Sequence, residues 1–155
     1  MTEYFPLFRM YQALRNQLME LLTDDDLQYQ PGGTNPSLGT LCREIGETQH
    51  SYIQSFKTFT LDFDYRNATP ELSEHVAALA SWFADLDREL QTVIEGLSED
   101  DIKHRTIDRG GHFRLRPAIQ LEVYKEALLI FYGKVSVYLR AMGKTLPRQW
   151  EEWIG

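Results

Sequence analysis

The chain has 155 residues, of which 43% are hydrophobic and 25% are charged, and its formal net charge is −7. This composition is ordinary for a globular protein and predicts a single domain over residues 1–155 with one sizeable core. The negative charge argues against a nucleic-acid partner or an anionic membrane surface, because both bind proteins rich in Lys and Arg.

The compartment is indicated by cysteine usage and by the lack of targeting signals. The single cysteine, Cys42, excludes an internal disulfide and suits a reducing environment. No apolar run is long enough to cross a bilayer, and no charged-then-apolar leader follows Met1. We therefore expect a cytoplasmic protein without a membrane partner.

The first half of the chain predicts two long helices. Helix 1 covers about Glu3 to Leu22, because apolar residues recur there with helical spacing. Its core face carries Leu7, Tyr11, Leu14, Leu18 and Leu21. Thr23 can cap a short helical turn, after which the Pro- and Gly-rich residues 31–36 prevent regular structure. Helix 2 begins near Asn35 to Ser37, and its inner face carries Leu38, Leu41, Ile45, Tyr52, Phe56 and Phe59.

The third predicted helix opens with Thr69 as cap and Pro70 at the first helical position. It runs from Pro70 to Glu95, a length of about 40 Å. A heptad-like apolar pattern marks its core face, at Leu72, Val76, Leu79, Phe83, Leu86, Leu90, Val93 and Leu97. Residues 60–68 form the connector that precedes this helix.

Helix 4 starts at Pro117, and its stretch from Tyr124 to Gly143 carries two apolar lines. The first line comprises Tyr124, Leu128, Phe131, Val135, Tyr138 and Met142. The second line comprises Val123, Ala127, Ile130, Val137 and Ala141. A helix with two apolar faces is expected to be buried on more than one side. Gly143 predicts a left-handed C-cap, and Pro147 prevents continuation.

An internal echo supports a bundle made of two similar helical hairpins. Residues 22–27 (LTDDDL) match residues 97–102 (LSEDDI) in character, and a Gly-Gly pair follows each segment. Each copy lies between two long amphipathic helices. We therefore predict an all-α four-helix bundle, with one weak strand signal from His112 to Leu115.

These features resemble the DinB/YfiT-like family of four-helix bundles. The resemblance is carried by LRNQLMELLTDDDLQYQPGG, SLGTLCREIGETQHSYI and KEALLIFYGKVSVYLRAMG followed by LP, in that order. It implies the same bundle fold and homodimers. It also implies a divalent metal held by three histidines, with thiol-transferase, isomerase or hydrolase activity in some members.

The metal triad that the resemblance implies is not present in this sequence. The histidine position of helix 2 falls on Glu44, and the two positions of helix 4 fall on Ala127 and Phe131. A methyl group and a phenyl ring cannot bind a metal, and one carboxylate alone does not hold a transition ion. We therefore predict no metal and no cofactor, and a candidate pocket formed by Glu44, Tyr124, Ala127 and Phe131.

Glu44 has two interpretations. Beside Phe131 it would be desolvated, which raises a carboxyl pKa and suits proton transfer. Alternatively, it lies at the rim of the pocket, solvated or paired with a cation such as Lys125.

The histidines, the cysteine, Glu47 and the loop arginines are weaker candidates for functional residues. His50, His104 and His112 lack metal-ligand spacing, so a relocated metal site would need long-range convergence. Cys42 has no local activating base, and Glu47 is expected to be a solvated surface residue. The arginines of residues 109–116 could hold an anion, or could simply balance acidic neighbours.

The second apolar line of helix 4 predicts an interface. Val123, Ile130 and Val137 lie off the stripe that a four-helix bundle uses, so exposed they would form an apolar patch that favours a homodimer. The alternative is that the connector near Asn67, or the tail with Trp150 and Trp153, covers them.

Three functions remain open. The first is a binding or interaction bundle that does not depend on metal. The second is a metal-dependent thiol transferase or hydrolase with a relocated ligand set that includes Glu44. The third is a sensor that binds a small molecule in an apolar cavity.

Overall fold

The computed structural model describes residues 5–155, apart from the side chain of Leu7. The predicted start of helix 1 at Glu3 and the predicted core position of Leu7 lie outside this described part. Four long helices make up the bundle: α1 (Phe5–Leu21), α3 (Leu38–Thr58), α5 (Val76–Gly96) and α7 (Pro117–Ala141). The short helices are α2 (Asp24–Leu27), α4 (Glu71–Glu74), α6 (Glu99–His104) and α8 (Arg148–Trp153).

The helices pack in a square arrangement. Both α3 and α1 pack against α5 and α7, so α1 and α3 lie diagonally across the core. The expected strand signal forms half of a small hairpin, in which β1 (Ile107–Asp108) pairs antiparallel with β2 (Arg114–Leu115). The all-α four-helix bundle is confirmed, but the predicted hairpin of the first two long helices is wrong, because α1 and α3 lie diagonally and each packs against α5 and α7 instead.

The two echoed segments adopt the same local structure. In α2, the Thr23 hydroxyl accepts a hydrogen bond from the Asp26 N–H, and the Asp26 carboxylate accepts one from the Thr23 N–H at 2.8 Å. Ser98 and Asp101 form the same reciprocal pair at the start of α6. Both segments are capping boxes, in which a side chain at each end satisfies a free backbone donor. The two similar sequences therefore encode the same kind of helix start, a capping box.

The prediction of one continuous third helix is wrong. It is split at His75, whose backbone is extended, so α4 ends at Glu74 and α5 begins at Val76. Thr69 does not cap α4 through its side chain; Pro70 occupies the N-cap. A carboxylate from another part of the chain starts α5, because Asp24 Oδ1 accepts the Val76 N–H at 2.8 Å. The 21 residues of α5 span about 32 Å rather than 40 Å.

The last long helix has the predicted ends and one buried face. Pro117 is its first residue, and Gly143 has a φ of 70° after its end. The Lys144 N–H then bonds the Leu139 carbonyl at 2.9 Å, as a left-handed C-cap requires. The expectation that α7 is buried on more than one side is wrong for the single chain, because Ile130 is 61% exposed and Val137 is 62% exposed.

The tail of the chain packs against α1. Trp150 is fully buried and its indole N–H donates to the Leu14 carbonyl at 3.0 Å, whereas Trp153 remains partly exposed against Tyr11.

The connector before α4 is tied to the hairpin, because the Leu61 N–H donates to the Asp108 carbonyl at 2.8 Å. This bond holds the connector alongside α3, where it forms one wall of a cavity described below.

Candidate functional site

Three of the four predicted pocket residues share a cleft between α3 and α7. Glu44, Ala127 and Phe131 line a cleft of about 210 Å³. The other lining residues are Leu41, Ile45, Thr48, Ile130 and Lys134. They meet because Ala127 and Phe131 are four apart on α7 and so project from one face toward α3. The cleft is mainly apolar, with one carboxylate and one ammonium group on its rim.

Tyr124 does not belong to this cleft. Its ring is fully buried in the core, between the rings of Phe8 at 5.5 Å and Tyr52 at 4.9 Å between centroids. Burial raises the pKa of the Tyr124 hydroxyl well above its ordinary value, while the nearby Arg15 guanidinium opposes this rise. The prediction for Tyr124 failed because helical spacing places a residue on a face but does not show how deep it lies.

The tyrosine lies beside a buried polar network that the sequence did not reveal. Arg15 is fully buried; it donates to Gln49 Oε1 at 2.6 Å and pairs with Asp87. The amides of Gln12 and Gln49 each donate to Asp87 Oδ1 at 2.8 Å. This network joins α1, α3 and α5 and gives the buried charges their partners. It is part of the core rather than part of the cleft.

Glu44 lies at the rim of the cleft and is exposed. Of the two interpretations of Glu44, the structure agrees with a solvated carboxylate at the rim and not with desolvation by Phe131, because the ring is buried beneath the rim while the carboxylate faces solvent. The suggested partner Lys125 pairs with Glu122 on its own helix. The cation that shares the cleft with Glu44 is Lys134.

The cleft does not fit the divalent metal that the resemblance implies. Ala127 and Phe131 supply no donor atom, and Glu44 is a single exposed carboxylate. Within residues 5–155, no group of three or more His, Cys, Asp or Glu side chains is placed to hold a metal ion. The relocated ligand set is thus not assembled in the described part of the chain.

The remaining candidate groups have structural surroundings. His50 stacks on Tyr65 with the ring centroids 3.8 Å apart, and burial lowers its pKa. Burial also raises the pKa of the Cys42 thiol to about 12, so this thiol remains protonated and is not a nucleophile near neutral pH. Arg109 donates to Gln120 Oε1 at 2.6 Å, and Arg114 faces Asp108 across the hairpin at 3.5 Å. Arg109 therefore links the hairpin to α7, and Arg114 balances the charge of Asp108 in the hairpin.

The prediction that Glu47 is a solvated surface residue is wrong. It is only 5% exposed, and its Oε1 accepts the backbone N–H of Asn67 at 2.9 Å. Glu47 and Ser51 line a second cavity, of about 290 Å³, between α3 and the connector, and Glu44 lies where this cavity adjoins the cleft. Their four-residue spacing puts both on one helix face, but no local pattern indicates that the connector covers that face.

The predicted dimer face is exposed in part. Ile130 and Val137 are exposed and Val123 is half-buried, while the connector near Asn67 and the α8 tail leave the first two uncovered. Ile130 also lines the cleft beside Glu44, so the dimer face and the cleft share a wall. Among the described residues, no helix is both long and apolar enough to cross a membrane.

Comparisons with known proteins identify the family. A family model described as the DinB superfamily matches residues 8–125, which is more than half of the chain. The matched region contains Glu44 and ends two residues before Ala127. No curated protein matches the chain.

Two solved structures are similar to this chain over nearly all of both molecules. A DinB-like protein from Bacillus cereus ATCC 10987 has a TM-score of 0.78 at 14% sequence identity, covering 95% of each chain. A DinB-like protein from Bacillus subtilis has a TM-score of 0.68 at 23% identity, covering 88% of this chain and 90% of the other. These TM-scores show a shared fold. The family match over residues 8–125 establishes that the chain belongs to the DinB superfamily.

Proposed function

We propose that this chain is a DinB-superfamily bundle that binds a small molecule or a protein partner and does not depend on a metal. The observation that carries the proposal is the set of side chains at the three positions where the family resemblance implies metal ligands: Glu44, Ala127 and Phe131 face one another across α3 and α7. Two of these three cannot donate an electron pair to a metal. Phe131 is buried, so its ring stabilises the core by about 1.5–3 kcal/mol.

The same cleft has the composition of a small ligand site. Its apolar wall of Leu41, Ile45 and Phe131 offers a surface for an apolar group, and Glu44 with Lys134 at the rim can orient polar groups. A metal-dependent transferase or hydrolase is the weaker candidate, because no observation on the described residues favours it. We place the protein in the cytoplasm, a location supported by the buried, unpaired thiol of Cys42.

Metal content is the experiment that tests this proposal. Tag-free protein is exposed to zinc, nickel and manganese, dialysed, and measured by inductively coupled plasma mass spectrometry, with the melting temperature recorded before and after. We expect far less than one ion per chain and no change in melting temperature, because metal bound to the native state would raise it. A histidine tag would supply the ligands that the cleft lacks.

The matched control restores the missing ligands. A variant that combines Glu44→His, Ala127→His and Phe131→His places three imidazoles around one cleft and is expected to retain metal under the same dialysis. One tightly held ion per chain in the unmodified protein would overturn the proposal and reopen the metal-dependent alternative.

A further inference from the structure

The cavity between α3 and the connector is a second site, which adjoins the α3–α7 cleft at Glu44 and Thr48. Its volume is about 290 Å³. Helix α3 supplies one wall and residues of the connector supply the other; the lining residues are Glu44, Glu47, Thr48, Ser51, Phe63 and Arg66. Its volume is at the lower end of the range for ligand pockets, so its ligand is smaller than a drug-sized molecule.

The α3 wall carries acceptor atoms on two buried residues, Glu47 and Ser51, and these acceptors are only partly used. Glu47 Oε1 accepts the Asn67 N–H, and Arg43 Nε lies 3.5 Å from this oxygen, within ion-pair range but without hydrogen-bond geometry. Glu47 Oε2 accepts no hydrogen bond from another described residue. Ser51 is 3% exposed, and its hydroxyl is likewise not engaged by any residue in the described range. Neither oxygen is sealed away from the cavity, so both can accept hydrogen bonds from a ligand with several N–H donors.

The connector wall carries a positive charge and an aromatic ring. Arg66 Nη1 donates to the carbonyls of Phe63 at 2.6 Å and of Tyr65 at 2.7 Å, which orients the guanidinium. Its other nitrogens make no hydrogen bond to the described residues, so they can donate to a carboxylate. Phe63 packs edge-on against Tyr52 at 5.8 Å and is 46% exposed, which leaves an apolar surface beside the guanidinium.

We propose that this cavity binds a free α-amino acid. The ammonium group donates to Glu47 and Ser51, the carboxylate accepts from Arg66, and the side chain packs on Phe63. An amine without a carboxylate would leave Arg66 without a partner. A carboxylic acid without an ammonium group would be repelled by Glu47, so a molecule with both charges matches the two walls best. The inference names a ligand and a site beyond the proposed function, and it holds or fails independently of metal content.

The test is direct binding to tag-free protein. The protein α-amino acids are screened one at a time by thermal shift near neutral pH, and those that raise the melting temperature are titrated by isothermal calorimetry. We expect at least one amino acid with an apolar side chain to bind with one site per chain. Its N-acetyl and α-amide derivatives should each bind at least about tenfold more weakly, because each removes one charged contact.

Two variants locate the site. Glu47→Gln keeps an oxygen for the Asn67 N–H but removes the charge, and Arg66→Gln removes the opposite charge; each should weaken binding by at least about tenfold. Glu95→Gln removes a charge from an exposed residue at the end of α5 and should leave affinity unchanged. If Glu47→Gln does not fold, Arg66→Gln and the ligand derivatives still decide the result. The proposal is overturned if no amino acid binds, if the derivatives bind equally well, or if both variants bind like the unmodified protein.

Discussion

Two glycines on α3 allow neighbouring segments to approach it closely. A Cβ atom built on Gly39 would lie 2.1 Å from the Ser73 carbonyl oxygen, and one built on Gly46 would lie 2.3 Å from the Trp82 ring. Real Cβ atoms do not approach this closely, so any side chain at either position would displace α4 or α5. Both glycines have ordinary helical backbones, so their role here is spacing.

Gly39→Ala should be the more destabilising of the two substitutions. The added methyl group meets backbone at Ser73, which cannot rotate away, whereas at Gly46 it meets a ring that can shift. We expect a loss of about 1–3 kcal/mol in the free energy of unfolding for each, larger for Gly39→Ala, from urea titrations followed by circular dichroism. Gly96→Ala, at the end of α5, is the control: a Cβ there has no contact within 4 Å, so alanine should not lower the free energy of unfolding. A gain in stability from Gly39→Ala would contradict the close approach.

At the scale of elements, the break between α4 and α5 joins distant parts of the chain. Asp24 starts α2, yet one of its oxygens caps α5 at Val76 and the other lies 3.0 Å from His75 Nδ1. The sequence predicted a continuous helix here because its apolar spacing continues without interruption across His75. The cap comes from 52 residues away, and a local pattern contains no information about it.

This junction should make stability depend on pH. The hydrogen bond to Asp24 raises the pKa of His75 above its ordinary value of 6.5, and the bond to His75 lowers the pKa of Asp24 below 3.8. The His75 contribution is present below pH 6.5 and is lost as pH rises through the raised value. The Asp24 contribution is present above pH 3.8 and is lost as pH falls through the lowered value. The pair therefore contributes most between these two ordinary values.

A double-mutant cycle of Asp24→Asn and His75→Gln checks this expectation. The coupling between the two sites, from urea midpoints, should be present near pH 5 and should shrink toward pH 8, as the pH rises through the raised pKa of His75. His75→Gln alone keeps the carboxylate that caps α5, so it should flatten the pH dependence without unfolding the helix. A coupling that is equal at both pH values would show that the ion pair has no part in holding the junction.

At the scale of the whole molecule, the sequence predicted most of the fold and part of the site. Helical spacing and Pro117 predict the long helices, and the repeated Thr/Ser and Asp residues start the short helices α2 and α6, since these signals are local and physically strong. Glu44, Ala127 and Phe131 do converge, because residues four apart on one helix face a common neighbour. The depth of Tyr124 and the burial of Glu47 were missed, because both depend on how segments far apart in the chain pack.

The exposed line on α7 predicts how two molecules associate. Val123, Ile130 and Val137 are seven residues apart and share one helix face, and Gly133 between them carries no side chain to hold a partner helix away. We propose a symmetric homodimer in which this line packs against its copy. The mass from light scattering should then rise from one chain to two with increasing concentration.

Variants separate the dimer from the fold. Ile130→Glu with Val137→Glu should give a monomer at every concentration and an unchanged circular dichroism spectrum, because both side chains are largely exposed in the single chain. Met10→Glu, at an exposed apolar residue of α1, is the matched control and should leave the dimer intact. If the unmodified protein is a monomer at all concentrations, this interface does not exist. Because Ile130 also lines the cleft beside Glu44, a true dimer would complete one wall of that cleft from the partner chain, so ligand binding there should weaken as the protein is diluted.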